Sequence, residues 1–170
     1  MKVRDIMTWP VTSLAPTDTL AFAEQLMKVE GVRHFPVVDG DVLVGLISQR
    51  DILAASISTL SNPPEEVDAE WKWKVRASDV MRTSVETAAP DQDAVAAADK
   101  ILSEKIGCLP VVDERFHLVG IVTEADFVAI ARTLLAGGKL KPRTSPSLDP
   151  TARPPPAPGQ QAVGKKPGRP

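Results

Sequence analysis

Two periodicities alternate along the first 57 residues. Leu20, Ala23, Leu26 and Met27 fall on one face of a helix, and Thr17, Asp18 and Thr19 just ahead offer side-chain oxygens to its unpaired N–H groups. Phe35–Val38 and Val42–Ile47 are β-rich runs on either side of Asp39-Gly40, a hairpin signal. A brief strand over Val11–Leu14, stopped by Pro16, precedes the helix, and a second helix starts at Ser48 or Gln49 and carries Ile52 and Leu53. Behind the short opening segment Val3–Met7, the pattern predicts a β-α-β-β-α unit. The same succession returns as Val85–Ala88, Asp93–Glu104, Leu109–Val112, His117–Val122 and Glu124–Leu135.

The return is a true internal repeat. Asp5-Ile6-Met7 recurs as Asp79-Val80-Met81, Pro16 as Pro90, and Pro36-Val37-Val38-Asp39 as Pro110-Val111-Val112-Asp113, all at an offset of 74. Gly45, Ser48 and Asp51 recur as Gly120, Thr123 and Asp126 at an offset of 75. The one-residue slip falls in the hairpin turn, where two homologous units would place it. The units run from about 3 to 57 and 77 to 131, and neither has enough helix to cover both faces of its sheet. The expected architecture is therefore α+β, two β-α-β-β-α repeats packed sheet to sheet with pseudo-twofold symmetry. The division is 1–58 for the first repeat, 59–76 for a linker, 77–136 for the second repeat and 137–170 for a tail.

Composition sets the tail apart. Residues 137–170 hold nine prolines, five glycines and seven Lys/Arg against one acid, a formal +6, whereas residues 1–136 carry −8. So few large apolar groups cannot repay the entropy of ordering, which predicts a disordered tail. The whole chain is near neutral at −2, which argues against a polycation built for nucleic acid. A single cysteine, Cys108, excludes an intrachain disulfide, and two histidines leave little for a metal cluster. No apolar stretch suffices for a membrane span, and the N-terminus lacks the apolar core of a signal peptide. The expectation is a reduced, cytoplasmic protein.

Candidate chemistry sits in the second hairpin strand of each copy. Gly45-Leu46-Ile47-Ser48-Gln49-Arg50-Asp51 and Gly120-Ile121-Val122-Thr123-Glu124-Ala125-Asp126 share one pattern, in which a strand ends at Ser/Thr and a helix begins. An isolated Ser-x-x-Asp reads most simply as a capping box. Occurring once per repeat, it also presents free backbone N–H groups, a hydroxyl donor for a phosphate, and a carboxylate able to accept both protons of a ribose cis-diol. Two such turns would face one cleft between the repeats.

These residues, with the Asp-Ile-Met/Asp-Val-Met and Pro-Val-Val-Asp motifs, resemble CBS (cystathionine β-synthase) domains, and the pair resembles a stand-alone Bateman module. The resemblance covers nearly all of 1–136 and none of the tail. It implies a sensor without catalytic residues or an obligatory cofactor, taking an adenosine ligand such as AMP, ADP, ATP, S-adenosylmethionine or a cyclic dinucleotide as regulatory ligand. It further implies that Asp51 and Asp126 hold ribose hydroxyls, that Ser48 and Thr123 approach phosphates, and that the segments around Val11 and Val85 line the adenine. Arg33-His34 stands where family members place phosphate-contacting cations, and the second copy has Gly107-Cys108 there. Unequal occupancy follows, with the more phosphorylated ligand near Arg33 and His34. The resemblance also implies a homodimer and a regulated partner on another polypeptide.

Other features carry less. His34 and Cys108 occupy equivalent positions and would approach each other across the symmetry axis, too few ligands for a metal. No base stands near Cys108 in sequence to activate it. Strand-like alternation in Trp71-Lys72-Trp73-Lys74 puts both indoles on one face, against a core edge or a partner. The tail's Gly168-Arg169-Pro170 matches the core of an A/T-minor-groove hook, but Pro167 stands where such a hook needs arginine. Three rival readings follow: a ligand-free dimerisation scaffold, a regulator tethered to DNA by the tail, and an enzyme using Asp51 and Asp126 as an acid–base pair.

Overall fold

A computed structural model of the chain describes residues 1–56 and 65–141. A single 3-10 turn at Val3–Asp5 is followed by α1 (Leu20–Glu30), β1 (His34–Asp39), β2 (Val42–Ser48) and α2 (Gln49–Ala55). Then come α3 (Glu65–Lys74), the short α4 (Ala77–Val80), α5 (Ala94–Glu104), β3 (Cys108–Val112), β4 (Leu118–Thr123) and α6 (Glu124–Leu135). Thr19 caps α1 by accepting from the Phe22 N–H at 3.2 Å, and Asp93 caps α5 by accepting from that of Val95 at 2.8 Å. The tail motif at Gly168-Arg169-Pro170 and the stretch 57–64 lie outside the described residues.

β1 pairs antiparallel with β2, and β3 with β4, each hairpin bulging by one residue, Val44 and Val119, just before the motif glycine. The strands expected at Val11–Leu14 and Val85–Ala88 contract to one parallel bridge each, Leu14 to Val37 and Ala88 to Val111. Proline is the reason. Leu14 donates to the Pro36 carbonyl and accepts from the Val38 N–H, both at 2.9 Å. The next parallel bonds on either side would need N–H groups at Pro36 and Pro16, which have none. Pro110 and Pro90 end the second copy's pairing in the same way.

The segment that opens each repeat does not stay with it. Thr8 exchanges backbone hydrogen bonds with Ile121 on β4 at 2.8 and 3.1 Å, and Arg82 does so with Leu46 on β2 at 3.0 Å both ways. Val3 donates to Gln92, and Ala77 donates to Asp18. Val3, Ile6 and Met7 therefore lie in one core with Ala88, Leu109, Val111 and Val122, while Ala77 lies in the other with Leu14, Phe35, Val37 and Ile47. Every such bridge has its partner at the repeat offset. The bridge between Val42 and His117 is its own partner and marks the pseudo-twofold axis, flanked by Leu43 N–H to Phe116 O and Leu118 N–H to Asp41 O, each 3.0 Å.

The motif glycines make the crossing possible. A Cβ at Gly45 would come within 2.5 Å of the Met81 sulfur, and one at Gly120 would fall on the Met7 thioether. The Gly motif of one repeat and the Asp-x-Met motif of the other are thus two sides of one contact.

The inter-repeat stretch corrects the strand-like reading of the tryptophans. It is helical, so Trp71 and Trp73 point about 200° apart. Trp71 donates Nε1–H to the Ala55 carbonyl at the end of α2 (3.0 Å), Trp73 is 56% exposed, and Lys72 pairs with Glu24 on α1 at 3.0 Å. The Ala55 carbonyl and the charge of Glu24, rather than a β period, decide which way α3 turns its side chains.

Gly120→Ala should cost about 1–3 kcal/mol in urea denaturation, the usual range for overpacking a filled site. Met7→Ala in the same chain should relieve part of it, with a coupling of about 0.5–3 kcal/mol in the double-mutant cycle. Strict additivity would show that the two side chains do not meet.

Candidate ligand-binding cleft

β2 and α2 meet at Ser48, which takes an extended backbone as N-cap. Its Oγ accepts from the Asp51 N–H at 3.3 Å and donates to Asp51 Oδ2 at 2.5 Å, and its N–H donates to the same oxygen at 2.8 Å. The second copy repeats the closure, with Thr123 N–H and Oγ1 on Asp126 Oδ2 at 2.9 and 2.8 Å. One oxygen of each candidate ribose carboxylate is therefore committed to its own turn. Asp5 and Asp79 accept from the N–H of Lys2 and Arg76 at 2.8 and 2.9 Å, so the acids of the Asp-x-Met motifs are turn caps as well.

The crossing segments make each half-site composite. Thr8 lies on β4 and Arg82 on β2 through their backbone bridges. Val11, three residues beyond Thr8, therefore follows a segment held by the Asp126 strand, and Val85 one held by the Asp51 strand. Both valines are half-buried. Each half-site takes its turn from one repeat and its candidate adenine segment from the other.

Arg82 is the residue the motif reading missed. Its Nε and Nη2 both donate to Asp51 Oδ1, at 3.0 and 2.9 Å, filling the oxygen that Ser48 leaves. Burial by itself would raise the Asp51 carboxyl, yet the hydrogen bonds from Ser48 and the Arg82 guanidinium outweigh it and hold the group below the usual carboxylate range. The signal was available: Arg82 follows the repeated Met and stands at the offset of Thr8, a cation against a neutral hydroxyl.

Near the axis the His34 ring packs on Gly107, where a Cβ would come within 2.7 Å of its Cε1. The Arg33 carbonyl accepts from the Gln49 N–H (2.9 Å) and that of Gly107 from the Glu124 N–H (3.2 Å), so each of these positions sits at the head of a motif helix. His34 thus meets Gly107, the neighbour of Cys108 in the chain. Burial, and after it the charge of Arg33, push the His34 pKa below its usual value; Glu124 and Asp51 pull the other way, and Arg50 adds to the depression. Cys108 is buried, and burial, reinforced by Glu124, raises its thiol to about 12, the opposite of what a nucleophile needs. Among the described residues no group of three His, Cys, Asp or Glu could hold a metal ion, and no helix is long and apolar enough to cross a membrane.

A hollow of about 540 Å³, open to solvent, adjoins Asp126 and is walled by Met1, Asp5, Ile130 and Lys141. Neither Val11 nor Val85 borders it, so it lies apart from the candidate adenine segments.

The CBS-domain family model matches residues 3–58 and 77–132, the two repeats with their Ser/Thr-x-x-Asp turns. This chain belongs to the CBS-domain family. It is 32% identical to the CBS domain-containing protein YhcV of Bacillus subtilis over 124 residues, covering 73% of this chain and 81% of that protein. A homoserine O-acetyltransferase of Methanococcoides burtonii is 33% identical over 128 residues, but this chain spans only 23% of that protein's length. Among solved structures, a protein ascribed to acetoin utilization (AcuB) in Vibrio cholerae is similar at 39% identity and a TM-score of 0.67, over 80% of this chain and 93% of that one. The CBS domain pair of MJ0100, solved with 5′-methylthioadenosine and S-adenosyl-L-methionine, matches at 28% identity and a TM-score of 0.63, over 82% and 98% of the two chains. CBSX2 in complex with AMP matches at 27% and 0.65, over 79% and 98%.

The folded CBS pair favours neutral His34 more strongly than the unfolded chain does. That contribution is complete above the unfolded value of about 6.5 and is lost as the pH falls through the lower folded value. The urea midpoint should fall from about pH 7.5 to about pH 5, and His34→Gln should flatten that fall. An equal slope in the variant would show the ring to be fully solvated.

Proposed function

We propose that this CBS pair is a regulatory module that binds adenosine-containing ligands in the cleft between its repeats and relays their occupancy to a partner protein. The observation that carries this reading is the symmetric pair of turns, Ser48–Asp51 and Thr123–Asp126, each joined to a segment of the other repeat. A ligand touching both parts of one half-site bears on both repeats at once. It shifts their arrangement by its differential affinity for the two states. Structural neighbours solved with AMP and with S-adenosylmethionine and methylthioadenosine support the adenosine class. In this reading Asp51 and Asp126 accept ribose hydroxyls, Ser48 and Thr123 approach phosphates, Arg33 and His34 supply polar contacts near the axis, and the segments at Val11 and Val85 flank the base. The module works in the cytoplasm as a homodimer without catalysing a reaction.

One set of observations favours a ligand-free dimerisation scaffold. Both carboxylates already close their own turns, and Leu53, at 64% exposed, and Val128, at 67%, present equivalent apolar side chains on α2 and α6. Thermal unfolding of the full chain with AMP, ADP, ATP or S-adenosylmethionine at about 1 mM separates the readings. A ligand at about 100 times its dissociation constant adds about 2.7 kcal/mol of stability. Asp51→Asn or Asp126→Asn, each referred to its own ligand-free midpoint, should remove a shift seen in the parent. A midpoint that none of the four moves would leave the scaffold standing.

A further inference from the structure

We propose that Arg82 makes the half-site at Asp51 selective for phosphorylated adenosine ligands, while the half-site at Asp126 has no such preference. This rests on the reading of the cleft as an adenosine site and names which ligand each half takes.

The two half-sites are built alike in backbone and differ in charge. Arg82 and Thr8 occupy the same place, each exchanging two backbone hydrogen bonds with the strand that leads into its turn. Within the turns, Gln49-Arg50 is replaced by Glu124-Ala125. Counting turn and crossing residue together, Arg50, Asp51 and Arg82 give the first half-site a formal +1, and Glu124 and Asp126 give the second −2.

Arg82 also blocks the carboxylate it faces. With Ser48 on Oδ2 and both guanidinium nitrogens on Oδ1, Asp51 meets an incoming ribose diol already hydrogen-bonded on both oxygens. An uncharged adenosine that displaces the guanidinium breaks an ion pair whose acid is 13% exposed and gives Arg82 nothing in return. A phosphorylated ligand exchanges partners instead. The diol takes Asp51 Oδ1, and the guanidinium turns about its anchored backbone onto phosphate oxygens, which its planar fork fits. The Arg82 side chain is 64% exposed and has room to turn. In the second half-site Thr8 brings no cation, and Glu124 adds a carboxylate that repels phosphate.

Isothermal titration of the full chain with ATP and with adenosine tests this. Asp126→Asn isolates the first half-site and Asp51→Asn the second, with the unfolding midpoint of each variant checking that it is folded. In the Asp126→Asn background ATP should bind at least about tenfold more tightly than adenosine, as expected for one charge-assisted contact. Adding Arg82→Thr should abolish that ratio, by weakening ATP and tightening adenosine. In the Asp51→Asn background Thr8→Arg should create a preference for ATP. An ATP-to-adenosine ratio unchanged by Arg82→Thr overturns the proposal and leaves the adenosine site intact, as does ATP binding that survives in Asp51→Asn but not in Asp126→Asn. Binding of neither ligand to the parent chain overturns the adenosine reading itself.

Discussion

Everything in this molecule hangs on two places where a thioether lies against a strand that lacks a Cβ. Met7 rests on Gly120 and Met81 on Gly45, and beside each the backbone of the crossing segment is paired in both directions. A side chain at either glycine would push the thioether aside and strain the crossing. Through the crossing, Val3, Ile6 and Met7 complete a core built from the second repeat, and Ala77 completes one built from the first. Each core draws residues from both repeats. The Val42–His117 bridge marks the axis that relates the two crossings.

The same exchange decides what the proposed ligand site is made of. A turn closed by Ser48 and Asp51 would be an ordinary helix cap on an isolated repeat. In the proposed function it becomes half of a site, because the strand before it receives the segment that carries Arg82 and leads to Val85. Duplication supplies two equivalent frames, and substitution at a few positions then gives them different chemistry. Arg82 corresponds to Thr8, Arg50 to Ala125, Gln49 to Glu124 and Arg33 to Gly107. Gly107 also provides the space that the His34 ring fills, so the loss of a cation in one copy is coupled to the packing of a ring from the other.

Much of the fold was legible because its signals are local. The 3.6-residue spacing of Leu20, Ala23 and Met27, the turn at Asp39-Gly40 and the caps at Thr19 and Asp93 depend on neighbours a few positions away, and an offset between repeats is visible without coordinates. The candidate carboxylates were legible for the same reason, since Ser-x-x-Asp closes within one turn. The tryptophan pair shows the limit of a short pattern, since four residues of alternation also fit a helix and only the contacts of α3 with Ala55 and Glu24 separate the two. Arg82 was passed over because its partner Asp51 lies 31 residues earlier in the chain and on the other repeat.

The sequence by itself determined the main helices and hairpins, the duplication, the capped turns and the charge difference between the copies. All of these are set by backbone propensity, by hydrogen bonds within a few residues and by composition. Tertiary structure alone decided that the leading segments change places, that Pro36 and Pro110 reduce the first strands to single bridges, and that Arg82 closes on Asp51. Those depend on which surfaces meet once two incomplete cores bury their apolar faces, and that meeting brings together residues whose separation along the chain carries no local signal.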